Sequence, residues 1–231
     1  MLKFHGFQKL TLLDYPGKVA ATLFTAGCNF RCPFCHNAAL VTHIEAGESY
    51  TEDEVLSYLE KRRGILEGIC LTGGEPLLQK GVEAFLARVK SLGYAVKLDT
   101  NGSFPDRLAA MIEAGLVDHV AMDIKNAKEK YPLTVGLADF DLTPIEKSVA
   151  LLLQGRVSYE FRTTVVKELH TPEDIDAIGK WIAGAEKYFL QGFIDSGDLI
   201  CSDLSAESEE NMRKMCEIAG KYVKKAELRG I

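Results

Sequence analysis

Apolar and β-branched residues gather into six short runs, at 18–25, 68–72, 94–99, 117–123, 157–166 and 187–193. Their length and their Val, Ile, Phe and Tyr content mark them as strands. Helical patterns separate them, near 52–64, 78–92, 104–114 and 144–154. Thr51 is placed to cap the first of these, with Glu54 completing a capping box. Thr171-Pro172-Glu173-Asp174 opens another helix with proline in its first turn. A last amphipathic helix is expected from about 205 to 221. Strands alternating with helices imply a parallel sheet covered by helices. An open doubly wound sheet and a partial barrel both fit, and periodicity does not choose between them.

The polar motifs fall at one end of this sheet. Residues 27–35 follow the first strand, and Gly73-Gly74-Glu75-Pro76 follows the second. Asp99-Thr100-Asn101-Gly102 ends the third, and Asp123-Ile124-Lys125 ends the fourth. In βα architectures the C-terminal ends of the strands carry the active site.

With 47% hydrophobic residues among 231, the chain can bury a large core. No internal repeat, low-complexity segment or linker divides it, so a single domain over 1–231 is expected. The formal charge of −6 argues against a general nucleic-acid binder, which needs a basic face. The first residues, Met1-Leu2-Lys3-Phe4-His5-Gly6, lack the apolar core of a signal peptide. No apolar run approaches the ~20 residues of a membrane span. A cytoplasmic location away from membranes is the expectation.

Three of the six cysteines, Cys28, Cys32 and Cys35, lie within eight residues. In a reducing compartment such clustering points to metal or redox chemistry. Three thiolates on one loop can converge on a soft metal centre. An electron-transfer cluster normally takes four cysteines, so three would leave one iron open to a ligand. A zinc knot with His36 as fourth ligand is the alternative, though His36 directly follows Cys35.

Gly6-Phe7-Gln8-Lys9, Asp14-Tyr15-Pro16-Gly17 and the run from Thr25-Ala26-Gly27-Cys28 through Cys32-Pro33-Phe34-Cys35-His36-Asn37 resemble the radical SAM (S-adenosylmethionine) superfamily. Within it they are similar to the activating proteins of anaerobic ribonucleoside-triphosphate reductase, and next to pyruvate formate-lyase activating enzyme. The resemblance implies a partial (β/α)6 TIM-like barrel of parallel strands with outer helices. It implies a [4Fe–4S] cluster on Cys28, Cys32 and Cys35 that binds and reductively cleaves SAM. The product would be a glycyl radical on a partner enzyme. By position, Phe34 would contact adenine, while Gly73, Gly74 and Glu75 would face the SAM ammonium. Asp99, Asn101, Asp123, Lys125 and Arg162 would complete the SAM site. Asp99, Thr100 and Asp123 would hold Na+ or K+, and Asp14 would touch the partner.

Each assignment has a plainer competitor. The glycines could serve a tight turn, Asp and Asn routinely cap helices, and Lys125 could form a surface salt bridge. Arg162 could pair with a structural carboxylate, Phe34 could pack in the core, and Asp14 could shape the turn before Pro16-Gly17. A histidine expected near the sixth strand by that resemblance is missing, with Gln191 as a substitute candidate. Cys70, Cys201 and Cys216 are too scattered for a second cluster, and the short stretch between Cys35 and Thr51 has no cysteine. Electrons would come from a flavodoxin or ferredoxin. The alternative functions are a small-molecule enzyme such as a 7-carboxy-7-deazaguanine synthase, or a non-catalytic iron–sulfur or zinc module.

Overall fold

The computed structural model describes residues 2–42, 49–195, 197 and 199–231. Part of the cysteine-free stretch after Cys35, residues 43–48, lies outside that description. The six expected strands form as β3 (Ala20–Thr25), β5 (Gly68–Gly73), β6 (Ala95–Thr100), β7 (His119–Asp123), β8 (Ser158–Val165) and β9 (Tyr188–Gly192). They pair in parallel, in chain order.

Two further strands extend the sheet. β2 (Gly6–Thr11) pairs antiparallel with β3, and β10 (Ala226–Arg229) pairs parallel with β9. The sheet order is therefore β10-β9-β8-β7-β6-β5-β3-β2. Among the described residues β2 and β10 do not pair with each other, so the barrel is incomplete. A small antiparallel ribbon of β1 (Lys3–Phe4) and β4 (Tyr50–Thr51) stands apart from the sheet. Neither edge strand was legible in the sequence. β2 is half-exposed and bulged between Gln8 and Thr11, and β10 is four half-buried residues.

The helices refine the expected boundaries. α2 (Glu52–Lys61) carries the anticipated capping box between Thr51 and Glu54. The helix expected from 78 starts later, as α3 (Val82–Ser91), because Gly81 adopts φ 87° and breaks the run after a 3-10 turn at Pro76–Leu78. α4 (Pro105–Glu113) and α6 (Thr143–Leu153) lie as expected, and α7 (Pro172–Trp181) is boxed by Thr171 and Asp174. α8 (Glu209–Ala219) begins at its cap Ser208 rather than near 205. Two short helices were not anticipated, α1 (Ala38–Thr42) and α5 (Tyr131–Val135).

Alternation along the strands separates core from cavity. On β6, Val96 and Leu98 are fully buried on one face, and Lys97 and Asp99 share the other. Among the described residues no helix is long and apolar enough to cross a membrane.

Candidate active site

The cysteine loop begins where β3 ends and is clamped by backbone bonds to its neighbours. Gly74 N–H donates to Thr25 O at 2.9 Å, and Glu75 N–H donates to Gly27 O at 2.8 Å. Gly27 N–H donates to Leu40 O at 2.7 Å, and Arg31 N–H donates to Val135 O at 2.9 Å. The short helices α1 and α5 thus brace the loop from both sides. Asn37 Nδ2 adds a bond of 3.0 Å to Gly73 O.

All three clustered cysteines line one cavity of about 440 Å³. Its walls come from successive strand ends: Gly73 and Gly74, then Asp99, Thr100 and Asn101, then Asp123 and Lys125, then Arg162 and Thr164, and finally Gln191 and Gly192. Phe34 and Asp14 also reach it. Burial pushes the Cys32 thiol up to about 12 despite Lys125, and it also raises Cys28. Soft metals bind thiols in the deprotonated form, so loading a metal on this loop would displace these protons. The donor set and the cavity fit the iron–sulfur cluster and SAM.

Glu75 departs from expectation. It is fully buried and does not reach the cavity. Its carboxylate accepts from Leu77 N at 2.9 Å, Asn101 N at 2.7 Å and Thr100 Oγ1 at 2.9 Å. It ties the turn after β5 to the end of β6 rather than meeting a ligand. Burial outweighs these donors and raises its carboxyl to about 7.

The paired glycines also serve a purpose beyond ligand approach. A Cβ on Gly74 would lie 2.1 Å from Gly27 O, and one on Gly73 would lie 2.3 Å from Thr25 O. The two glycines let the β5 turn lie against the cysteine loop itself.

The charged groups form one network. Arg162 Nε donates to Asp123 Oδ1 at 2.9 Å, and its Nη1 donates to Asp99 Oδ2 at 3.1 Å. Lys125 Nζ donates to Asp123 Oδ2 at 3.0 Å. Burial alone would raise both carboxyls, but Arg162 with Lys97 or Lys125 holds them below the usual range. Thr22 Oγ1 donates to Asp14, which also borders an adjoining cavity of about 540 Å³. That second cavity runs between the segment after β2, at Leu12 and Leu13, and the end of β10, at Arg229.

Sequence reasoning missed three contributors. Lys97, 2% exposed, pairs with Asp99. A lysine two positions before an aspartate in an apolar strand was the available signal. Arg229 grips the buried Glu160 through two bonds of 2.8 and 3.1 Å. His170 Nε2 contacts Lys125 O at 2.8 Å and its ring meets Phe34 edge-on. Nothing local in the sequence marks either of these last two.

A parallel half-barrel with three thiols and a ring of polar strand ends around one cavity is an arrangement suited to an enzyme with a soft metal centre. The sequence profile of the radical SAM superfamily matches residues 22–171, and the chain belongs to that superfamily. It is 33% identical over 232 residues to a Methanocaldococcus jannaschii protein provisionally named a glycyl-radical enzyme activating enzyme, covering 98% of this chain and 95% of that one. A GTP 3',8-cyclase of Helicobacter pylori is 30% identical over 67% of this chain and 49% of its own length. Among solved structures, a domain of pyruvate-formate lyase-activating enzyme from Bacteroides vulgatus superposes with TM-score 0.58 at 18% identity, over 71% of this chain and 99% of that one. Membership implies a [4Fe–4S] cluster and SAM.

Proposed function

We propose that this radical SAM enzyme installs a glycyl radical on a partner protein, and that the partner is anaerobic ribonucleoside-triphosphate reductase. The end-to-end match to a named activating enzyme carries the first part. The stretch near the sixth strand, which has Gln191 and no histidine, favours the particular partner. Cys28, Cys32 and Cys35 hold the cluster. When bound, cluster and SAM supply a carbon radical able to abstract hydrogen.

The chain's own residues position and shield. The carbonyls at Gly73 and Gly74 and the side chain of Asn101 face the ligand's polar end, while Arg162 and Lys125 supply positive charge for its carboxylate. Phe34 offers an aromatic face. Selectivity then rests on holding the target Cα–H within ~3–3.5 Å of the reacting carbon. Glycine suits this because it has no side chain to exclude it from a narrow mouth. Asp14, on the border of the two cavities, is the contact proposed for the incoming loop. A flavodoxin or ferredoxin is the proposed electron source.

The test mixes reconstituted protein, SAM, reductant and the reductase of the same organism without oxygen. A doublet electron paramagnetic resonance signal is expected on the reductase, absent when its radical glycine is replaced by alanine. SAM cleavage without that signal rejects the reductase as partner. The same assay on other glycyl-radical proteins then separates a different partner from a small-molecule substrate.

A further inference from the structure

Beside the cysteine-lined cavity, Lys97, Arg162 and Lys125 surround Asp99 and Asp123, and every oxygen of these two carboxylates is engaged, with Lys97 itself lining the adjoining cavity next to Asp14. Asp99 Oδ1 accepts from Lys97 Nζ and its Oδ2 from Arg162 at 3.1 Å. Asp123 Oδ1 accepts from Arg162 at 2.9 Å and its Oδ2 from Lys125 at 3.0 Å. Thr100 Oγ1 donates to Glu75 at 2.9 Å and accepts from Gly102 N at 3.1 Å.

These are the oxygens that the sequence resemblance assigned to Na+ or K+. A hard cation needs several free oxygen ligands. Here the oxygens already receive protons from ammonium, guanidinium and backbone groups, and an added cation would stand beside like charges. The residues present do not fit the ion.

Lys97 is the unusual member. An ammonium inside a strand is costly unless paired. Its side chain is 3% exposed and its partner Asp99, two residues on, shares its face.

We infer that Lys97 is a positioning residue that takes the place of a monovalent cation, holding Asp99 so that Arg162, bonded to both Asp99 and Asp123, stays set with Lys125 for the SAM carboxylate. This rests on the assignment of the cavity to SAM and is independent of the partner protein. SAM binding by the holoenzyme is therefore indifferent to Na+ and K+.

Equilibrium dialysis of SAM against the anaerobically reconstituted protein tests this, in KCl, NaCl and tetramethylammonium chloride at equal ionic strength. The wild-type dissociation constant is expected to agree within about twofold in all three. Lys97→Met should bind about tenfold more weakly in tetramethylammonium and recover with K+ or Na+. Lys97→Arg should remain indifferent to the salt. A wild-type affinity that tightens more than about threefold with K+ or Na+ overturns the inference, and does so whether or not Lys97→Met folds. Wild-type-like affinity of Lys97→Met in every salt overturns it too. Cation-responsive binding would leave the SAM assignment standing, whereas absence of SAM binding in all salts would overturn both.

Discussion

Gly74→Ala is the most incisive perturbation of the site because the change is a single methyl group. Gly74 is not in a left-handed conformation, so sterics alone decide the outcome. The added Cβ would sit 2.1 Å from Gly27 O and 2.6 Å from Gly27 C, both backbone atoms. Ordinary contact is roughly 3.5 Å, so the two segments must separate by about 1.4 Å. The same Gly27 carbonyl accepts the Glu75 N–H at 2.8 Å, and that bond is lost as the segments part. Overpacking costs ~1–3 kcal/mol and the hydrogen bond ~0.5–1.5 kcal/mol, together roughly 1.5–4.5 kcal/mol. In a domain of this size that lowers the melting temperature by roughly 3–18 °C. Gly27 immediately precedes Cys28, so the displacement passes into the cysteine loop. The expected result is reduced iron content after reconstitution together with the lower melting temperature. A variant with full iron, wild-type SAM affinity and unchanged melting would refute the claim that the glycines exist to seat this loop.

Two buried glutamates should show opposite responses to pH. Glu75 has its carboxyl raised to about 7, so between about 4.5 and 7 the native state holds a proton that the unfolded chain releases. Stability falls as pH rises through that window, by roughly 3 kcal/mol from this group. Glu75→Gln should flatten that part of the curve, measured as unfolding free energy against pH. Glu160 runs the other way. Burial pushes its carboxyl up, but His119 and Arg229 outweigh this and hold it at about 2. Its contribution is present above about pH 4.5 and lost as pH falls towards 2. Arg229→Met leaves Glu160, 1% exposed, without its bidentate partner and should cost roughly 2–4 kcal/mol in denaturant unfolding. An Arg229→Met protein as stable as wild type would mean that β10 is not anchored through this pair.

The amino-acid sequence alone determined the alternation of strand and helix and the clustering of chemistry at one end of the sheet. Both follow from short-range rules. Apolar runs bounded by turn residues mark the strands, Thr51 and Glu54 cap α2 through bonds three residues apart, and three cysteines within eight residues put three thiols on one loop. The tertiary structure alone decided what each polar residue at those strand ends touches. Glu75 stands beside the glycines in sequence, yet two of its three donors, Thr100 and Asn101, come from the end of the next strand of the sheet. Arg162 reaches two carboxylates 39 and 63 residues away, which requires β6, β7 and β8 to lie side by side. The edge strands β2 and β10 likewise exist because a sheet offers them unpaired backbone groups, a demand that four or six half-exposed residues do not announce on their own. Lys97 lies between these cases. Its place in an apolar strand is plain in the sequence, but its charge finds a purpose only where Asp99, on the same face two residues on, is itself held by an arginine from a distant strand.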